Sequence, residues 1–244
     1  MRINVLGVGF DVVTFDKAVE KAKAFAKGEK PAVIYTPNPE MVMAARKDAE
    51  FLRVLNTADM VVPDGIGIVY ASRILKPSLP ERVGGYDLTL KILEHAAKDG
   101  LRVYFFGSAP GVAESAAEKL KAKFAGLNIV GLHSGYFNNN EESRIIEDIN
   151  AAGTDILLVG LGFPKQEKWI AENKEKLCAK VLIGVGGSLD GYAGTVKRAP
   201  NFFIKLNLEW FYRLVQQPSR IKRQIQLPLF MLAVIREKIR GTHE

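Results

Sequence analysis

The sequence predicts an α/β fold: a Rossmann-like, mainly parallel sheet flanked by helices, with a C-terminal basic amphipathic helical appendage. Two observations predict it. Short apolar runs alternate with helix-period segments from the first residues to about Thr195, as in consecutive βαβ units. Beyond that point the composition changes to aromatics, aliphatics and Arg/Lys. The expected division is an α/β catalytic domain over residues 1–195 and an appendage over 196–244. The 244 residues suffice for a full core, and 48% hydrophobic with 25% charged residues is ordinary for a soluble domain.

The elements follow in order. "RINVLGV" reads as a first strand rather than a signal peptide, because Asp11 soon interrupts the apolar run. "TFDKAVEKAKAFAKG" has a helical period and reaches Gly28, a C-cap candidate. "AVIYT" is a strand, "PEMVMAAR" and "DAEFLRVLNTA" are short helices, and "DMVVP" is a short strand. "GIGIVYASRIL" is a helix, and "KPSLPERVGG" a Pro/Gly-rich loop. Helix "YDLTLKILEHAAKDG" precedes strand "LRVYFFG", and helix "PGVAESAAEKLKAKFAG" precedes a strand within "NIVGLHSGYF". Helix "NNEESRIIEDINAAG", strand "DILLVGLG", helix "PKQEKWIAENKEKL" and strand "AKVLIGVGG" complete the alternation. In the appendage, Phe202, Phe203, Leu206, Trp210, Phe211 and Leu214 recur at helical spacing until Pro218 breaks the pattern.

Charge is unevenly spread. From Lys197 to Glu244 there are ten Lys/Arg and three Asp/Glu, so the whole formal net charge of +7 lies there and the body is neutral. A basic tail on a neutral body points to an anionic partner. Its most apolar part, "LFMLAVI", is too short to span a bilayer, but a basic amphipathic helix can lie in a membrane surface. The alternative is a helix pair packed on the domain or on another subunit, so a homo-oligomer stays open.

Ligands of α/β sheets bind beyond the carboxyl ends of strands. "FFGSAPGVAE" places Gly107 and Ser108 at such an end, "GLGFPKQE" places Gly160 and Gly162, and "GVGGSLDG" places Gly184, Gly186, Gly187 and Asp190. Glycine lets a phosphate approach the backbone, and the following helix offers free N–H groups. One such turn says little, but three on one edge favour a nucleotide or another phosphorylated ligand. No carboxylate follows at the next strand end, in "GLHSGYF", as a dinucleotide site requires, and no P-loop occurs. Uridine or another nucleotide fits better.

"VVPDGIG" sets Asp64 straight after an apolar strand, where partial desolvation suits a general base, although an N-cap aspartate would look the same. "IYTPNPEM" holds Thr36 and Asn38 between prolines, which is either a stiff ligand turn or strand termination with an Asx-type turn. Arg82 is a phosphate partner or a solvated loop charge. Gln166 and Glu167 fall in a first helical turn at the strand edge, and Glu167 reads equally as a dipole-favoured surface acid. Cys178, the only cysteine, excludes an internal disulfide and reads as a small buried hydrophobe. The three histidines have no ligand spacing and no D-x-D occurs, so no metal and no cofactor are expected. Arg213, Arg220 and Arg223 straddle Pro218. A lipid diphosphate explains both these arginines and their apolar neighbours, whereas nucleic acid explains the arginines alone.

"TPNPEM", "PDGIG", "RVGGYD", "FFGSAPG", "GLGFPKQE", "AGTVKRAP" and "LEWFYRLVQQPSRIKR" stand in the order found in the WecG/TagA/CpsF glycosyltransferases (glycosyltransferase family 26). The chain resembles that family over nearly its whole length, most of all its N-acetylmannosaminyltransferases of wall teichoic acid synthesis. The resemblance implies an inverting, metal-independent transfer of N-acetylmannosamine from UDP-ManNAc to GlcNAc-diphospho-undecaprenol, on the cytoplasmic face of the cell membrane. It implies Asp64 as the base, Thr36 and Asn38 at the donor sugar or the acceptor, and Arg82 and Gln166 on sugar or phosphate groups. Tyr136 and Asp190, with Gly107 and Gly186, would border the nucleotide. Arg213, Arg220 and Arg223 would meet the lipid diphosphate. In "IKLNLEW", Asn207 stands where the resemblance leads one to expect glycine. A donor such as UDP-ManNAc uronic acid or UDP-glucuronic acid, or a non-catalytic nucleotide-binding role, is the alternative.

Overall fold

The computed structural model describes residues 1–138, 140–216, 218, 221 and 225–240. Its centre is a six-stranded, all-parallel sheet made of β3 (Ala32–Tyr35), β4 (Met60–Val61), β5 (Arg102–Gly107), β6 (Asn128–His133), β7 (Ile156–Gly160) and β8 (Val181–Gly184). The strand order is β4-β3-β8-β7-β5-β6. Both sheet faces are covered, so the strands are apolar at successive positions rather than alternately polar. The period of two survives in where they point. Val33, Tyr35, Tyr104, Phe106, Leu157, Val159 and Leu182 enter one core, while Ile34, Val103, Phe105, Ile156, Leu158 and Ile183 enter the other.

On the second face lie α1 (Phe15–Ala26), α5 (Gly85–Asp99), α6 (Val112–Lys123) and α9 (Ser188–Ala193). The first face carries α2 (Pro39–Ala45), α3 (Ala49–Thr57), α4 (Ile66–Leu75), α7 (Glu142–Ala151) and α8 (Lys165–Asn173). The helices after β3 and β7 therefore leave to one face, and those after β5 and β8 to the other. Neighbouring strand ends part alternately, and this opens the crevice in which α/β proteins bind ligands.

The first strand expected from sequence is a hairpin outside the main sheet. β1 (Arg2–Val5) pairs antiparallel with β2 (Val8–Asp11) through Leu6 and Gly7, both at positive φ. Such a two-residue turn matches the twist of the strands. Asp11 then accepts a hydrogen bond from the Val61 N–H of edge strand β4, at 2.8 Å, so the hairpin blunts that edge. Gly28 is not the cap of α1 either: Lys27 holds that position in right-handed conformation, one residue earlier. Cys178 is exposed, not buried, on the stretch between the 3-10 turn Lys174–Lys176 and β8. Its N–H is held by Asn150 Oδ1 at 2.8 Å, which fixes the backbone and leaves the thiol outside.

Beyond α9 the chain forms α10 (Asn201–Lys205), α11 (Glu209–Gln216) and α12 (Gln226–Arg240). Phe230, Ala233 and Val234 of α12 are buried in the first-face core, against α2 and α4. Burying Phe230 and Val234 contributes roughly 2 kcal/mol each to holding this helix on the domain. Asn207, where glycine was expected, has φ +59°. The position asks for left-handed backbone, and asparagine is the side-chain-bearing residue that tolerates it best. Among the described residues, no helix is long and apolar enough to cross a membrane.

Candidate functional site

The "TPNP" turn at the end of β3 is both a helix start and a clamp. Asn38 caps α2, with Oδ1 accepting from Met41 N–H at 3.0 Å and Pro39 in the first helical position. Strand termination was therefore a correct reading of these residues, and one oxygen of Asn38 is committed to it. The Pro37 carbonyl accepts the Asp64 N–H at 3.1 Å, tying the turn to the end of β4. Pro39 packs against Gly65 and Gly67, where an added Cβ would come within 3.3 and 3.0 Å of its ring. Thr36 packs equally closely on the start of α5, since a Cβ on Gly85 would lie 2.6 Å from Thr36 Oγ1. The glycines of "PDGIG" and "RVGGYD" thus let three segments converge around Thr36, Asn38 and Asp64.

Arg82 joins the same group. Its guanidinium lies 3.5 Å from Asp64 Oδ1 and 3.3 Å from Glu209 Oε2, in the first turn of α11. Burial disfavours its charge, but the two carboxylates outweigh this and hold its pKa above the ordinary value. Its Nε is buried with no partner among the described residues. Arg82 is therefore not a solvated loop charge. It is a half-buried cation between the Asp64 carboxylate and the appendage.

A second group forms over β8, β7 and β5. Gly107 is at φ +138°, and a Cβ there would collide with the Gly160 backbone. Gly160 in turn lies against the Gly186 carbonyl, at 3.0 Å from where its own Cβ would be. Ser108 N–H donates to the Gly160 carbonyl at 2.9 Å, and the Ser108 hydroxyl donates to Asp190 Oδ2 at 3.2 Å. Gly135 N–H donates to the Ser108 carbonyl at 2.8 Å, which brings up the loop carrying Tyr136, whose ring is 75% exposed. Gly162, at φ +74°, leads from β7 into α8. Gln166 accepts from Gly186 N–H at 3.0 Å, which ties the start of α8 to the turn after β8. Four strand steps separate the β4 end from the β5 end, about 19 Å. Along this edge α4, α5, α6 and α8 all start without a side-chain cap, unlike α1, α2 and α3, which Thr14, Asn38 and Asp48 cap. Val112 N–H and Gln166 N–H are already given to the Ala109 and Gly162 carbonyls, and the remaining first-turn N–H groups are donors suited to phosphate oxygens.

Glu167 is not a surface acid. It is 1% exposed, with Oε1 accepting from Gln166 Nε2 at 2.7 Å and Oε2 without a partner among the described residues. Burial pushes its carboxyl up to about 7, against the opposing pull of the Gln166 hydrogen bond. The folded protein then binds this proton more tightly than the unfolded chain does. Its contribution to stability is full below the unfolded value of 4.5 and is lost as pH rises to about 7, a fall of about 3 kcal/mol. Glu167→Gln has no such proton, so its stability advantage over the parent should grow through that window and stay flat above it. Urea midpoints measured across pH check this.

The sequence reading missed three side chains. Glu209 was visible only as part of "LEWFYRL". Arg198 and Asp87 sat in two quoted segments with no reason to be paired. Both Asp87 oxygens accept from Arg198 Nη2 at 2.7 Å, and the guanidinium lies over the Tyr86 ring at 4.4 Å. This pair fastens the root of the appendage to the start of α5. Of the tail arginines, Arg213 lies on α11, whereas Arg220 and Arg223 lie outside the described residues. Among the described residues, no cluster of three His, Cys, Asp or Glu side chains can hold a metal ion.

An open edge of strand ends and uncapped helices, with a carboxylate–arginine pair at one end, defines an α/β protein suited to a long phosphorylated ligand. Its family is settled by comparison: the model of the Glycosyl transferase WecG/TagA/CpsF family matches residues 3–244, and the chain belongs to that family. Two Bacillus proteins, from B. spizizenii (strain W23) and B. subtilis (strain 168), are each 38% identical to it. The matches cover 86% and 85% of this chain and 80% of each relative. One from Staphylococcus aureus (strain MRSA252) is 36% identical over 97% of this chain and 93% of its own. All three are named N-acetylglucosaminyldiphosphoundecaprenol N-acetyl-beta-D-mannosaminyltransferase.

Proposed function

We propose that this protein transfers N-acetylmannosamine from UDP-ManNAc to the GlcNAc of GlcNAc-diphospho-undecaprenol, with inversion and without a metal, in the linkage unit of wall teichoic acid. The observation that carries the site assignment is Asp64, fixed by Pro37 at a strand end and paired with Arg82 on the edge shared with the glycine turns. Asp64 takes the proton of the acceptor hydroxyl as its oxygen attacks the anomeric carbon. The bond from that carbon to the UDP oxygen breaks, and UDP leaves with the electron pair. Charge on the leaving diphosphate is met by helix N-termini and by Arg82, and Arg213 belongs to the lipid diphosphate site. Thr36, Asn38 and Gln166 hold the sugars. Gly107, Ser108, Tyr136, Gly160, Gly162, Gly186 and Asp190 border the nucleotide, and Arg220 and Arg223 add to the lipid diphosphate site. The test is UDP release from UDP-ManNAc with a short-chain lipid acceptor, in excess EDTA. No release would favour a nucleotide-binding scaffold, and faster release from a uronic acid donor would reassign the sugar.

The appendage docks this site on the inner face of the cell membrane. The support is a stripe on α12: Leu229, Leu232, Ile235 and Ile239 are 42 to 54% exposed, on the side away from buried Phe230, Ala233 and Val234. Such a face, flanked by Arg236, Lys238 and Arg240, suits an anionic bilayer surface. Leu229→Glu with Leu232→Glu should lower co-sedimentation with phosphatidylglycerol vesicles at least fivefold while the fold persists. Undiminished vesicle binding, or a shift from dimer to monomer instead, would assign the stripe to self-association.

A further inference from the structure

Gln166 is held from both ends of its amide. Oε1 accepts from Gly186 N–H at 3.0 Å, and one Nε2 hydrogen goes to Glu167 Oε1 at 2.7 Å. Among the described residues, Glu167 Oε1 is the one acceptor on Gln166 Nε2, so its second hydrogen is not committed. Gly186 is at φ +51° with open space where its Cβ would be, so this turn is held chiefly by its hydrogen bonds. Glycine is also required opposite: a Cβ on Gly184 would lie 2.9 Å from Gln166 Nε2 and 3.3 Å from Glu167 Oε1. The Glu167 backbone carbonyl accepts the Tyr35 hydroxyl at 3.0 Å, which anchors the start of α8 to β3.

The carboxyl group itself is a poor choice for stability. It is buried, has no cation within salt-bridge distance among the described residues, and leaves one oxygen unpartnered. An apolar side chain of similar volume would pack there at less cost. What a carboxyl supplies and a methionine does not is an acceptor for the Gln166 amide.

We propose that Glu167 is a positioning residue for the transfer: its buried carboxyl fixes the Gln166 amide, and through it the Gly186 turn, in the orientation that offers the second Nε2 hydrogen to the ligand. The proposal rests on the transferase reading for its kinetic consequence, but not for its structural one. A glutamine at position 167 keeps an acceptor oxygen, whereas methionine or leucine has none.

Glu167→Met is expected to fold with a melting temperature at or above the parent's and to lose at least tenfold in kcat/KM for the donor. Glu167→Gln should keep at least a third of the parental kcat/KM. Adding Gln166→Ala to Glu167→Met should cost little beyond Gln166→Ala alone, as for two residues acting as one unit. Amide hydrogen exchange at Gly186 should speed up at least tenfold in Glu167→Met, while Val181–Gly184 keep their protection. Glu167→Leu is the second variant if the first does not fold. Parental kcat/KM in the methionine or leucine variant, equal losses in the methionine and glutamine variants, or unchanged Gly186 exchange would each overturn the proposal. A parent that releases no UDP would overturn the transferase reading instead, and Gly186 exchange would still test the lock.

Discussion

Asp64→Asn is expected to lower turnover by about 10²- to 10⁴-fold, the usual contribution of a positioned general base. Asparagine has nearly the same shape. Its backbone N–H still reaches the Pro37 carbonyl, and its Oδ1 still accepts from Arg82. The variant should therefore fold and bind UDP as the parent does, since the turns proposed for the nucleotide lie two to four strand steps away, at β8, β7 and β5. Turnover at saturating donor and acceptor, with UDP affinity by calorimetry, separates the two effects. Near-parental turnover at neutral pH would remove Asp64 from the role of base.

Gly107→Ala should be the most damaging small substitution in the core. Two penalties coincide: φ +138° is strained for any L-residue, and the new Cβ meets the Gly160 backbone rather than a side chain that could move. Relief would require β5 and β7 to separate where Phe106 and Val159 are paired. A loss of 4 kcal/mol or more is expected, which lowers the melting temperature by about 10 °C in a chain of this size. Gly187→Ala is the control. It has no positive φ, and its nearest neighbour would be an Asp190 oxygen at 3.8 Å, so its melting temperature should barely move.

The alternation of strands and helices was legible because each parallel strand, covered on both faces, is a short apolar run between turn residues. The glycine turns were legible because glycine is what such positions need: Gly107 meets the Gly160 backbone, Gly85 meets the Thr36 side chain, and Gly162 and Gly186 stand at positive φ. The hairpin was not. Its turn uses Leu6 at positive φ, a non-glycine residue inside an apolar run, and no local signal marks it. Glu167 was readable only as an acid in a first helical turn. Its burial depends on β8, which follows it closely, and on β3, more than 130 residues earlier. The Arg82–Glu209 and Arg198–Asp87 pairs each span more than a hundred residues, so only the folded chain brings them together. For Asn38 the strand-end reading holds: the cap sets one side of the amide, and the convergence on Gly65 sets where the residue stands.

The packing of α12 also sets a height. Its buried side lies on α2 and α4, which begin at Asn38 and just after Asp64, and Phe230 comes within 4.0 Å of where a Cβ on Gly67 would be. Its apolar stripe points the other way. With that stripe lying on a bilayer, little more than one helix diameter, about 10 Å, separates the lipid surface from the layer that carries Asp64. A sugar tethered by a diphosphate has only to rise by that amount to meet Asp64, and its hydrocarbon tail need never leave the membrane.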